Sequence, residues 1–296
     1  MLYEYTVLVE YQTIDQSIES LNAAGLYNLY YEPPIEIIKV QNGYDYEERQ
    51  QEFIELKIYA EEGESPGLPE TYLSLIENTL GIAKDEIRLA RIDDTSWDVS
   101  FEDIDLGNGW VLCYSGQTDV HPGKKILRFD PQAAFGTGLH ATTQDCLRII
   151  LSENLNDKSV LDLGTGSGVL SIAAALKGAE KVTAVDYEPV EREIRLNAEL
   201  NKVDIPLSIE QADLLEGEYS VTEPFDVIVI NIGADETRKI VERHQLVDKS
   251  DTFLISGVVE WNAGQVMEMF KKEGYSAEVR MQTDEWLTFL FKKGKS

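Results

Sequence analysis

Two patterns of apolar and polar positions divide the chain. In the first, Tyr3–Glu10 (YEYTVLVE) has the period of a strand, and Ile14–Ala24 (IDQSIESLNAA) has that of a helix stopped by Gly25. Leu26–Tyr31 and Ile35–Val40 flank Pro33-Pro34, as in a bent or interrupted strand. Phe53–Tyr59 reads as another strand. The turn-rich EEGESPGLP then leads to a helix at Glu70–Leu80 and a strand at Ile87–Ile92. This β-α-β-β-α-β order predicts a small ferredoxin-like α+β domain over residues 1–95.

The second pattern, over residues 125–296, alternates strands with helices. Strands are predicted at Val160–Leu163, Lys181–Val185, Leu207–Glu210, Asp226–Asn231, Phe253–Ser256, Ala277–Gln282 and Trp286–Phe291. Helices are expected at Gln144–Leu151, after Gly168, after Pro189, after Asp235 and at Ala263–Glu273. Such alternation means right-handed crossovers and a parallel sheet covered on both faces. The last two strands are joined only by Thr283-Asp284-Glu285, too short for a crossover, so they must pair antiparallel. The expected fold class is α/β, a Rossmann-like, seven-stranded, mostly parallel sheet preceded by the ferredoxin-like domain. Residues 96–124 read as a linker. Asp93–Asp119 is acidic and turn-prone, and its Trp97, Phe101 and Trp110 are expected to pack against a domain rather than bind a ligand.

Composition narrows the function. At 43% hydrophobic residues in a chain of 296, global disorder is excluded and two domains fit. No run is long and apolar enough for a membrane span, and Met1–Glu10 lacks the basic start of a signal peptide, so a cytoplasmic protein is expected. Two cysteines (Cys113 and Cys146) and three histidines leave little material for a disulfide framework or a zinc site, and no metal is expected. The net charge of −28 is uneven: residues 1–120 carry 25 acids and 6 bases, a net of −19, against 29 and 20, a net of −9, in the remainder. Such a surface repels phosphate backbones, so direct nucleic-acid binding is not expected. It attracts basic proteins.

Candidate chemistry centres on Val160–Gly168 (VLDLGTGSG). Gly164, Gly166 and Gly168 let the backbone turn close beneath a ligand after a buried strand. Their G-x-G-x-G spacing, without a lysine or arginine in the loop, differs from the G-x-G-x-x-G dinucleotide fingerprint and points to a ligand without phosphates. Asp186, 22 positions after Gly164, ends the next strand. It suits a ribose diol or, alternatively, a helix N-cap. Asp213 suits an adenine amino group or a turn. Asn231 closes the apolar strand FDVIVINI, where an amide is expensive unless satisfied, and its carbonyl offers an acceptor to an incoming amine. Upstream, Asp130–Thr143 (DPQAAFGTGLHATT) supplies Thr137, His140, Thr142 and Thr143, with Thr142 or Thr143 placed to cap the following helix.

Together AFGTGLHATT, the 21 positions from Thr143 to Gly164, LDLGTGSG, VDYEP, FDVIVINI and the closing DEWLTFLF resemble the PrmA family, the bacterial methyltransferases of ribosomal protein eleven of the large subunit. The likeness is strong over residues 125–296 and looser over the whole chain. It implies a class I methyltransferase fold, S-adenosyl-L-methionine as cofactor, N-methylation of a basic ribosomal protein, no membrane partner and a monomer. It further implies that Thr143, Gly164, Asp186 and Asn231 bind the cofactor, and that Thr137 lies in a loop closing over its methionine end. Gln132 stands where the family has glycine, Leu139 and Ala141 where it has threonine and proline, and GADET after Asn231-Ile232 where it has Leu-Ala-x-Pro-Leu. A retargeted or silent cofactor-binding paralogue is the alternative. A nicotinamide-dependent oxidoreductase is opposed by the glycine spacing and the C-terminal hairpin.

Overall fold

The structure is a computed structural model that describes residues 2–61, 68–92, 102–114, 121–130, 138, 140–217 and 219–294. It divides into two compact units, Met1–Lys39 with Tyr44–Ser100, and Val40–Gly43 with Phe101–Ser296.

In the first unit the elements are β1 (Leu2–Glu10), α1 (Ile14–Ala23), β2 (Leu29–Tyr31), β3 (Ile35–Val40), β4 (Gly43–Glu48), β5 (Phe53–Glu61), α2 (Leu68–Leu80) and β6 (Arg88–Ile92). Four of the strands form a sheet in the order β2-β5-β1-β6, every pair antiparallel. Its register sets Tyr5 opposite Ile58, Val7 opposite Leu56 and Val9 opposite Ile54. The period of two therefore gathers these side chains on one face, where all are buried with Leu21 of α1 and Ile76 of α2. This is the ferredoxin-like topology. One feature differs from expectation: the chain around Pro33-Pro34 is not one interrupted strand. Its first half, β2, joins the sheet, while β3 pairs with β4 in a separate two-stranded ribbon. The pattern of β4 gave no signal because all its positions after Gly43 are exposed.

In the second unit, part of the stretch read as a linker is ordered sheet. β7 (Ile104–Asp105), β8 (Trp110–Tyr114) and β9 (Lys125–Phe129) pair in that order, and every residue of β8 is buried. Trp110 packs in the core as expected; Trp97 and Phe101 lie outside the described residues.

The large sheet contains β10 (Ser159–Leu163), β11 (Lys181–Asp186), β12 (Leu207–Gln211), β13 (Val227–Asn231), β14 (Thr252–Val259), β15 (Tyr275–Thr283) and β16 (Trp286–Lys293). Its order is β12-β11-β10-β13-β14-β16-β15, parallel except for β16, which runs against both neighbours. Val227–Ile230 of β13 (VIVI) are apolar without a break because both faces are covered. On one face α3 (Ala141–Ile150) and α4 (Val169–Leu176) bring Leu147, Ile150 and Ile172 to the cluster holding Val160, Val182 and Val229. On the other, α6 (Ala234–Arg243) and α7 (Ala263–Lys272) bring Ile240, Val266 and Phe270 to Leu161, Ile228, Ile230 and Phe253. The remaining helix, α5 (Glu191–Leu200), packs Ile194 on Ala184 of β11.

Phe270 is fully buried, with ring centres 4.4 Å from Phe291, 5.0 Å from Phe253 and 5.5 Å from Tyr275. Phe270→Ala is expected to destabilise the second unit by about 3–5 kcal/mol, read as a lowered urea midpoint.

Candidate functional site

Parallel pairing brings the candidate residues to one edge. β10 lies between β11 and β13, with Leu163 opposite Val185 on one side and Ile230 on the other. One residue further along all three strands stand Gly164, Asp186 and Asn231, side by side at the carboxyl ends. The strand order reverses at β10, which makes this the topological switch point of the sheet, where open α/β folds bind ligands.

The glycine loop is held from both sides. All three glycines have positive φ (72°, 52° and 75°), and Gly164 and Thr165 donate their N–H groups to the Val185 carbonyl at 2.9 and 3.1 Å. A Cβ on Gly164 would lie 2.8 Å from Ile232, so the loop passes close to the residue that follows Asn231. From the far side β14 crowds the same residue: a Cβ on Gly257, at φ 75°, would come within 2.4 Å of the Ile232 carbonyl oxygen. The Asn231-Ile232 turn is thus gripped by glycines of both neighbouring strands.

Asp186 accepts the Gly166 N–H on Oδ2 at 2.7 Å and the Glu188 N–H on Oδ1 at 3.0 Å. It does not cap α5, whose N-cap is Val190 with no side-chain bond. Each carboxylate oxygen can accept two hydrogen bonds, so Asp186 keeps acceptor capacity on both. Asp213 uses Oδ1 for a turn, accepting Leu215 and Glu216 N–H at 2.8 and 2.9 Å, and these backbone bonds hold its pKa below the usual carboxylate range. Asn231 ends β13 with its side-chain oxygen Oδ1 buried and unpartnered. Leaving a buried acceptor unpaired costs about 1–3 kcal/mol, an expense that a ligand donor recovers.

α3 departs from expectation. It begins at Ala141, three residues before the predicted start, and its cap is His140, whose Nδ1 accepts the Thr142 N–H at 3.4 Å and lies 2.8 Å from the Thr142 hydroxyl. The expected caps, Thr142 and Thr143, are instead buried in its first turn. Periodicity missed this because histidine is an uncommon cap. Edge-on contact with Trp286 at 5.0 Å fixes the His140 ring. The helix packs on β13, the strand that ends in Asn231. Thr137 lies outside the described residues. GADET opens α6: Gly233 is its N-cap, and Asp235 and Glu236 lie in its first turn, where acids favour the helix dipole.

The family model described as ribosomal protein L11 methyltransferase (PrmA) matches residues 3–294. The chain belongs to the PrmA family. A ribosomal protein L11 methyltransferase of Bacillus licheniformis is 28% identical over 98% of this chain and 99% of its own length. One from Bacillus velezensis is 31% identical over 77% of this chain and 75% of its own. Among solved structures, a ribosomal protein L11 methylase from Lactobacillus delbrueckii subsp. bulgaricus has a TM-score of 0.57 at 25% identity, covering 66% of this chain and 100% of that one. The fold of this PrmA-family chain is that of a class I methyltransferase.

Three further residues shape the PrmA-family site without having been singled out by the sequence. Asn197, fully buried on α5, accepts the Asp130 N–H at 2.7 Å and donates to the Asp130 carbonyl at 2.9 Å. One turn later Asn201 does the same for Arg128, at 2.8 and 2.6 Å. Their amides replace a missing strand beside β9 and fix where the chain enters Asp130–Thr143. The signal was two asparagines at i,i+4 on a helix, a poor choice for propensity alone. The third is Asp162. Buried in β10, it accepts hydroxyl hydrogen bonds from Thr165 and Ser171, both at 2.7 Å, on Oδ2, and its Oδ1 is unpartnered. This carboxylate braces the glycine loop from below.

Burial pushes the Asp162 pKa up from 3.8 to about 6 against those hydrogen bonds, and the nearby Asp186 charge adds to the rise. A raised folded-state pKa favours folding below the unfolded value and loses that contribution as pH rises through about 6. Asp162→Asn, which stays neutral, should therefore gain on the parent by up to about 3 kcal/mol between pH 3.5 and 7, measured by denaturant midpoints across that range.

Proposed function

We propose that this chain is an S-adenosyl-L-methionine-dependent N-methyltransferase acting in the cytoplasm on a basic ribosomal protein, protein eleven of the large subunit. Family membership supports the substrate, and the acidic composition supports a basic partner. The observation that carries the chemistry is the buried, unpartnered Asn231 Oδ1 at the carboxyl edge, flanked by Gly164.

The residues present fit the cofactor. The glycine loop presents bare backbone, without basic side chains, to a ligand that has no phosphate. Asp186, with acceptor capacity on both oxygens, is assigned to the ribose hydroxyls, and Gly164, Gly166 and Thr143 to the walls around the nucleoside and methionine. Asp213 is assigned to the adenine amino group, with its Oδ1 already shared by the turn. Thr137 is assigned to the methionine end. When bound, the sulfonium supplies an activated methyl group, so the protein's task is alignment of a nucleophile behind it.

The target amine sets the difficulty. A lysine with a pKa of about 10.4 must give up a proton to expose its lone pair, about 4.6 kcal/mol at pH 7. An acidic rim would raise that pKa further, so capture and deprotonation belong to different places. The acidic N-terminal domain, residues 1–95, captures the basic protein. At the edge of β13, in a drier setting, Asn231 Oδ1 accepts an N–H from the neutral amine and turns its lone pair toward the methyl group.

Asn231→Ala is expected to bind the demethylated product, S-adenosylhomocysteine, with affinity within about threefold of the parent in calorimetry, while kcat falls by about 100-fold, the scale of losing one positioned polar contact. Full transfer by this variant would remove the assigned role, and absence of binding to the folded parent would remove the cofactor. In the parent, kcat/KM is expected to rise about tenfold per pH unit from pH 6 to 9, following deprotonation of the amine.

A further inference from the structure

Far in sequence from the glycine loop, three chemically different side chains converge in the small sheet. Asp103 immediately precedes β7, Cys113 lies within β8 and His121 lies four residues before β9. Their ligand atoms, a carboxylate oxygen, the thiol sulfur and an imidazole nitrogen, all fall within 4.8 Å of one another. Among the described residues this is the one group of three or more such side chains. His121 Nε2 is 2.7 Å from Asp103 Oδ2, and the Tyr114 N–H donates to Asp103 Oδ1 at 3.2 Å. The backbone of β8 thereby fixes the carboxylate beside the thiol that the same strand carries.

We propose that Asp103, Cys113 and His121 bind one divalent zinc ion, with water as the fourth ligand. The composition leaves little zinc-binding material, but the fold places a third of the histidines and half of the cysteines in one place. The ligand set decides the metal: sulfur, nitrogen and oxygen together suit zinc, whereas calcium and magnesium take oxygen ligands. Bonds of about 2.0–2.3 Å in a tetrahedron separate ligand atoms by about 3.3–3.6 Å, inside the observed envelope. The His121–Asp103 pair lengthens from 2.7 Å by about 0.6 Å as its hydrogen bond gives way to two metal bonds, and the thiol settles within the same 4.8 Å envelope. On binding, the thiol gives its proton to solvent, while the neutral imidazole keeps its one proton on Nδ1 and offers the Nε2 lone pair; no other bond changes.

Burial is graded as an open site requires. Cys113 is 1% exposed, whereas the Asp103 and His121 side chains are 12% and 28% exposed. Metal enters from the histidine side, and the soft ligand is shielded from oxidation. Bound there, zinc clips the start of β7 and the approach to β9 onto β8. Leu112 and Tyr114 of β8 wall in Gly138: a Cβ at that glycine would lie 2.5 Å from Leu112 and 3.3 Å from the Tyr114 hydroxyl. The clip therefore secures the strand against which Gly138 packs.

The test uses the full chain, stripped with chelator and dialysed against Zn²⁺ alone or Co²⁺ alone. Expected are about one zinc per chain by elemental analysis and, with cobalt, a thiolate-to-metal charge-transfer band in the near ultraviolet. Cys113→Ser should abolish that band. His121→Asn, at the most exposed of the three positions, should weaken zinc affinity at least about tenfold while circular dichroism stays unchanged. If Cys113→Ser does not fold, the cobalt band of the parent and the His121→Asn affinity decide the matter. The proposal is overturned by a folded parent that binds no zinc at tens of micromolar free metal, by cobalt binding without a thiolate band, or by unchanged zinc affinity in His121→Asn.

Discussion

Everything at the candidate site depends on the parallel pairing of β10 with a strand on each side. Because the three strands run the same way in matched register, their carboxyl ends finish together, and Gly164, Asp186 and Asn231 become neighbours although 67 positions separate the first from the last. No local interaction could achieve this. The pairing is maintained by apolar side chains on both faces, so the polar residues at the strand ends are the first places where the buried sheet meets chemistry.

That edge is held at a cost. The structure keeps a carboxylate in the core at Asp162 with one oxygen unpaired, and an amide at Asn231 with its oxygen unpaired. Each is a local loss of stability beside the carboxyl edge of the sheet. They differ in what the loss achieves. Asp162 fixes the glycine loop through Thr165 and Ser171, so its expense is structural preorganisation; Asn231 leaves an acceptor ready for a donor from outside. A sheet optimised for stability alone would have apolar residues at both positions.

The surface works by different physics. A charge of −28 acts at long range and is screened by salt, so it favours encounter with a basic protein without choosing one. Selection and transfer require short-range contacts, and the residues proposed for transfer stand at the carboxyl edge. The proposed amine methylation would rely on the same separation, because it needs a neutral amine on a chain so acidic.

By itself the sequence determined the period of every strand in the large sheet, the antiparallel closing hairpin and the glycine loop, because burial on two faces and short connections leave local signatures. The resemblance carried by AFGTGLHATT and LDLGTGSG added the family. Tertiary structure decided the rest. Exposed β4 has no apolar period, and buried β8 lay in a stretch whose acidity and turns masked it. His140 became a cap by its placement before α3 and against Trp286, and Asn197 became a surrogate strand for Asp130 only because α5 packs beside β9. Asp103, Cys113 and His121 are scattered residues until two strand pairings fold them together. Periodicity reports which face is buried; which distant side chains share that burial is a property of the three-dimensional packing.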